Sequence, residues 1–91
     1  MIRSEVEIRN ELGLHLRAAA RFVDVASRFH CGVLVSTGGP EVDGKSLLAL
    51  SSLLARRGTL LRLSCSGPDE VEASQALTEL VASGFPGVRI S

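Results

Sequence analysis

The feature that narrows the fold most is a repeated change of hydrophobic period within 91 residues. Residues 2–8, IRSEVEI, alternate apolar and charged side chains, with Val6 and Ile8 on one face and Glu5 and Glu7 on the other. That is the two-residue repeat of a half-buried strand. From Leu16 to Phe29 the repeat lengthens: Ala19, Phe22, Val23, Ala26 and Phe29 recur at helical spacing, while Arg17, Arg21, Asp24 and Arg28 fall on another face. CGVLVST then reads as a β-branched strand, GGP as a turn and EVD as the short returning arm of a hairpin. GKSLLALSSLLARRG predicts a short helix capped by Ser46 and stopped near Gly58. TLLRLSCS is a further strand, and GPDEVEASQALTELVASG a last helix opened by Asp69, with Glu72 at capping-box spacing. The closing PGVRIS is expected to be a loose tail.

The order βαββαβα, without linker, repeat or low-complexity tract, predicts one domain over residues 1–91. Its class is α+β: an open-faced β-sandwich in which three helices cover one face of a four-stranded antiparallel sheet. A right-handed crossover through the first helix makes strands one and two parallel and leaves room for the last strand between them, giving the order 1-4-2-3. The bare face suits Glu5, Glu7 and Arg62 and leaves Leu34 and Leu60 singly exposed. Cys31 and Cys65 should then lie near one another on the helix side, at least partly buried and reduced, with Cα atoms within about 10 Å.

Composition excludes several kinds of function. Ten Lys and Arg balance ten Asp and Glu, and the three aromatics are all Phe, so neither a basic field nor stacking rings are available for nucleic acid. SLLALSSLLA is about half the length a membrane span needs. MIRSEVEIRN lacks the apolar region of a signal peptide, so a cytoplasmic chain without membrane insertion is expected. The cysteines show no ligand spacing, no P-loop is present, and neither metal nor cofactor is expected. A chain this short has no room for a large cleft, which leaves a surface site.

His15 is the residue that fits such a site. It follows a glycine-containing loop and precedes the first turn of a helix, where backbone N–H groups lack acceptors and the dipole end is positive. A neutral imidazole is a nucleophile near pH 7, and Arg17 can offer a planar fork of donors to phosphate oxygens. With no hydrolytic machinery beside it in sequence except Glu11, a phosphoryl group placed there would be held and passed on. Spacing alone also admits the plainer readings, a capping or solvent-exposed histidine and a solvated arginine.

GLHLRAAARFVDVASRF resembles the active-site segment of HPr, the histidine-containing phosphocarrier of the bacterial phosphoenolpyruvate-dependent sugar phosphotransferase system, whose pattern is roughly G-L-H-A-R-P-A-A-x-F-V. VDGKSLLALSSLLARRGTLLRLSCSGPDEVEASQALTEL is similar to the family's G-K-S helix, G-T strand and G-x-D-E final helix, so the likeness covers nearly the whole chain. The resemblance implies that His15 carries a phosphoryl group on Nδ1 between enzyme I and enzyme IIA domains, and that Arg17 is the active-site arginine. It also implies that Ser46 matches the serine modified by HPr kinase/phosphorylase, a role compatible with a helix cap. HLRA departs from the family's H-A-R-P: Leu16 adds bulk beside the imidazole, and Ala18 leaves a first-turn N–H that proline would lack.

A partner surface follows from periodicity: Leu16, Arg17, Ala20 and Arg21 of the first helix near Leu47, Leu48 and Ser51 of the short one, with Leu50 and Leu53 turned to the core. In the family such an apolar patch rimmed by arginine meets enzyme I and enzyme IIA. The chain is expected to act as a monomer. The competing functions are a carrier of the nitrogen-related phosphotransferase branch and an interaction domain whose histidine is never phosphorylated.

Overall fold

Burial alternates residue by residue along the longest strand, β4 (Leu60–Ser66): Leu61, Leu63 and Cys65 are buried, while Leu60, Arg62 and Ser66 face water. The structure, a computed structural model, describes residues 1–88. Around β4 lie β1 (Ile2–Glu7), α1 (Leu16–Ala26), β2 (Gly32–Ser36), β3 (Val42–Asp43), α2 (Leu47–Ser51) and α3 (Glu70–Ala82). The strands form one antiparallel sheet in the order β1-β4-β2-β3, as the crossover argument predicts. Val6 opposes Leu61, and Val35 opposes Leu63, so one face presents a continuous apolar layer.

The helices cover that layer. Ala18, Ala19, Phe22 and Ala26 of α1, Leu50 of α2, and Ala73, Leu77, Leu80 and Val81 of α3 are buried in a single core with it. Complete burial of Phe22 alone is worth about 2–3 kcal/mol. On the bare face Leu34 and Leu60 are exposed as expected, and Arg62 meets Glu5 across the ladder at 3.2 Å. Exposed on both sides, that ion pair contributes little.

Both of the first two helices end earlier than their sequence pattern suggests. α1 ends at Ala26, and Arg28 and Phe29 continue only as a tight turn donating to Val25 and Ala26 carbonyls. The second helix stops at Ser51 instead of running toward Gly58, because the chain beyond it pairs elsewhere. Leu54 takes a left-handed φ of 50°, the Ala55 carbonyl accepts from Leu14 N–H, and Gly58 and Thr59 bond Ile8. Tertiary partners thus outbid helix continuation.

Asp69 stands at the N-cap of α3 but caps nothing. Its carboxylate accepts instead from the N–H groups of His30 (2.8 Å) and Cys31 (2.9 Å), fastening the start of β2 to the start of α3. The expected pairing with Glu72 is replaced by Glu70, whose Oε1 accepts from Gly67 N–H at 3.1 Å and whose Oε2 meets the Met1 ammonium at 2.9 Å. Of the expected tail, Val88 donates to the Phe85 carbonyl and packs against the core, and residues 89–91 lie outside the described residues.

The His30 N–H, followed by that of Cys31, holds the Asp69 carboxyl below the usual carboxylate range. The folded chain therefore releases this proton more readily than the unfolded one. Stability from Asp69 is complete above the ordinary value of about 3.9 and is lost as pH falls through the lowered folded value. Asp69→Asn is expected to lower Tm at pH 7 and to flatten its decline below about pH 5. A thermal series in which the variant keeps the wild-type acid limb would refute this.

Both cysteines are buried, as expected. Val33 opposes Cys65, so Cys31 lies diagonal to it, a relation that sets residues about 7–8 Å apart and disfavours a disulfide. Burial, then the neighbouring Cys31, pushes the Cys65 thiol up to about 11. Burial and then Asp69 push Cys31 up as well. Both remain protonated fillers at neutral pH.

Candidate functional site

His15 is the N-cap residue of α1, with an extended backbone (φ −70°, ψ 173°) and a side chain that makes no capping bond. Its carbonyl accepts from Ala19 N–H at 2.8 Å, which starts the helix, while the half-buried ring is left to other work. No acidic side chain stands in the first turn, so the positive end of an eleven-residue helix is uncompensated from within it.

The loop before His15 is held in place by short bonds. Asn10 Nδ2 donates to the Gly13 carbonyl at 2.6 Å, and Gly13 N–H returns to the Asn10 carbonyl at 3.1 Å. Gly13 has a φ of +65°, and a Cβ there would lie 2.5 Å from the Ala55 carbonyl oxygen and 2.8 Å from Arg56 Cα. Leu14 N–H donates to the same Ala55 carbonyl at 2.9 Å. The loop carrying His15 is thereby locked to the segment that follows α2.

Between them is an open depression of about 460 Å³ lined by Leu12, Leu14, His15, Leu16, Ser51, Leu54, Ala55 and Arg56. Leu16, Leu47, Leu48 and Leu54 are all exposed, Leu48 at 85% and Leu54 at 80%. Leu50 is fully buried and Leu53 packs against the core, the division the periodicity predicts. A larger depression of about 560 Å³ lies on the bare sheet face, but Arg3 and Arg62 balance Glu5 and Glu41 there and neither a histidine nor a cysteine lines it.

The other expected residues fall around this centre in different ways. Arg17 and Ala20 are exposed on α1, and Ser51 joins the depression. Arg21 is engaged: its guanidinium meets Asp24 at 2.8 Å, and Asp24 also takes Arg28 at 2.9 Å. Ser46 is the N-cap of α2, its Oγ accepting from Ala49 N–H at 3.2 Å. Leu12, Leu54 and Arg56 also border His15, although periodicity did not point to them. Their placement follows from the loop-to-loop lock, for which Gly13 was the only sequence signal. Among the described residues no group of three His, Cys, Asp or Glu side chains could hold a metal, and no helix is long and apolar enough to cross a membrane.

An imidazole at an open helix start, on a sheet covered on one face only, defines a small α+β domain whose candidate site lies on its surface. Comparison with known sequences makes this specific. The family model described as the PTS HPr component phosphorylation site matches residues 2–83, and the chain belongs to the HPr family of phosphocarrier proteins of the bacterial phosphotransferase system. A phosphocarrier protein HPr of Pseudomonas aeruginosa is 51% identical over 83 residues, covering 89% of this chain and 91% of the relative. The crystal structure of HPr from Thermoanaerobacter tengcongensis superposes with a TM-score of 0.90 at 40% identity, covering 93% of this chain and 96% of that one. The Bacillus subtilis catabolite-repression protein Crh, described as a dimer with a swapped domain, gives 0.74 at 38% identity, covering 92% and 97%.

Proposed function

We propose that this chain accepts a phosphoryl group on His15 from phosphorylated enzyme I and passes it to enzyme IIA domains, in the cytoplasm and as a monomer. The observation that carries this is the ring of His15: it caps nothing, it stands at the N-terminus of α1, and it lies within the segment matched by the phosphorylation-site family. A neutral ring with its proton on Nε2 uses the Nδ1 lone pair to form the new N–P bond as the donor's bond to phosphorus breaks. First-turn N–H groups and the Arg17 guanidinium then face the phosphoryl oxygens. The exposed leucines around the ring supply an apolar docking patch.

Incubation with phosphoenolpyruvate and enzyme I tests the proposal: one acid-labile phosphate per chain is expected, and a chain that stays unlabelled would overturn it. Ser46 fits a regulatory role under an HPr kinase/phosphorylase, because its hydroxyl stands between the helix start and two exposed leucines. Phosphate there adds roughly −1.5 to −2 charges at a helix N-terminus, which the fold tolerates, but beside a patch that must meet acidic partners. Ser46→Asp, which keeps a capping oxygen, is expected to slow labelling of His15 by about tenfold or more. Equal rates for variant and wild type would remove Ser46 from the control of transfer.

A further inference from the structure

The geometry points to Arg56 as a second cationic ligand of the phosphoryl group on His15, contributed by the segment after α2 and not by α1. The assignment rests on His15 being the phosphoryl acceptor. Arg56 lines the same depression as the imidazole. Its main chain is fixed there twice: the Cβ position of Gly13 falls 2.8 Å from Arg56 Cα, and Arg56 and Thr59 exchange hydrogen bonds, Arg56 N–H to Thr59 Oγ1 at 3.2 Å and Thr59 N–H to the Arg56 carbonyl at 3.0 Å. The side chain is exposed, and among the described residues its guanidinium has no carboxylate or acceptor to hold it. A rooted, unengaged guanidinium beside the reacting ring is suited to a dianion that arrives and leaves. Arg57, the next residue, is also exposed but does not line the depression.

The charged residues on the segments around the ring are Arg9 and Glu11 in the preceding loop, Arg17, Arg21 and Asp24 on α1, and Arg56 and Arg57 beyond α2, which itself carries none. Arg21 is committed to Asp24. Arg56 adds a positive charge at the depression beside the ring from a segment outside α1, and a group that only attracts acidic partners would not act on the phosphoryl group when no partner is present.

The experiment follows from that difference. Potassium phosphoramidate phosphorylates histidine without enzyme I, releasing ammonia as the new N–P bond forms. In a His30→Gln background, which removes the second histidine, the ³¹P titration midpoint of phospho-His15 is read by NMR. A guanidinium against the oxygens favours the dianion, so Arg56→Ala is expected to raise the midpoint by about one unit, the lower end for opposite charges within ~4–6 Å. Arg56→Lys, which keeps the charge but not the fork, should fall between the two, and Arg57→Ala should match wild type. An Arg56→Ala midpoint equal to that of Arg57→Ala would overturn the assignment. Normal labelling by enzyme I with no shift strikes Arg56 alone, whereas a clear shift with no labelling by enzyme I strikes the carrier reading instead.

Discussion

A chain with alanine at position 15 is expected to take up no phosphate from phosphoenolpyruvate and enzyme I while keeping the stability of wild type to within about 0.5 kcal/mol. The two halves of this result have separate causes. In the proposed reaction the imidazole supplies the nitrogen that forms the bond to phosphorus, and the other histidine, His30, sits before β2 at no helix start. Stability is preserved because the His15 side chain makes no capping bond and the ring is only half buried. Phosphate assays and urea melts on one preparation check both; label retained by His15→Ala would move the carrier role to another residue.

Gly13→Ala should produce the largest loss of stability near the site, about 2–4 kcal/mol. Left-handed backbone costs a non-glycine residue roughly 1–2 kcal/mol, and forced contact adds typically 1–3 kcal/mol. The contact cannot be relieved by a rotamer change, since the new methyl meets main-chain atoms, the Ala55 carbonyl oxygen at 2.5 Å and Arg56 Cα at 2.8 Å. That carbonyl is also the acceptor for Leu14 N–H, so the push moves the residue before His15. Transfer should slow even where the variant is fully folded. An unfolding free energy from urea melts within about 1 kcal/mol of wild type would show that the two loops are not locked.

Much of this was legible from the sequence where a repeat ran long enough to declare its period. Phe22 and Ala26, Val33 and Val35, and Leu61 and Leu63 all face the core as their spacing requires. The 1-4-2-3 order needed only a handedness rule, and His15 and Ser46 stand at helix starts because a glycine loop and a capping serine precede apolar runs. What escaped depends on partners distant in sequence. Asp69 has the spacing of a cap, yet its carboxylate is claimed by N–H groups 38 and 39 residues away. LLALSSLLARR looks helical throughout, but Ala55 and Gly58 serve the loop and strand near residues 8–14. Arg56 reaches the candidate site by that route, and no local pattern marks it.

The place of β4 in the sheet also bears on how the chain comes together. It is the sixth element in sequence and pairs with both β1 and β2, matching Ile2 to Cys65 across 63 residues and Val33 to that same cysteine across 32. A chain leaving the ribosome N-terminus first has made three strands and two helices before the strand that joins them appears. Until residues 60–66 are free, its only available ladder is the brief one between β2 and β3, Leu34 with Asp43 and Val35 with Val42. The entropy of closing the wide loops is met in one late step, which places the pairing of β4 with β1 and β2 last in the order of assembly. Until the segment around Ala55 has followed, the loop bearing His15 has no carbonyl to fix it, so a nascent chain has the nucleophile before it has the site.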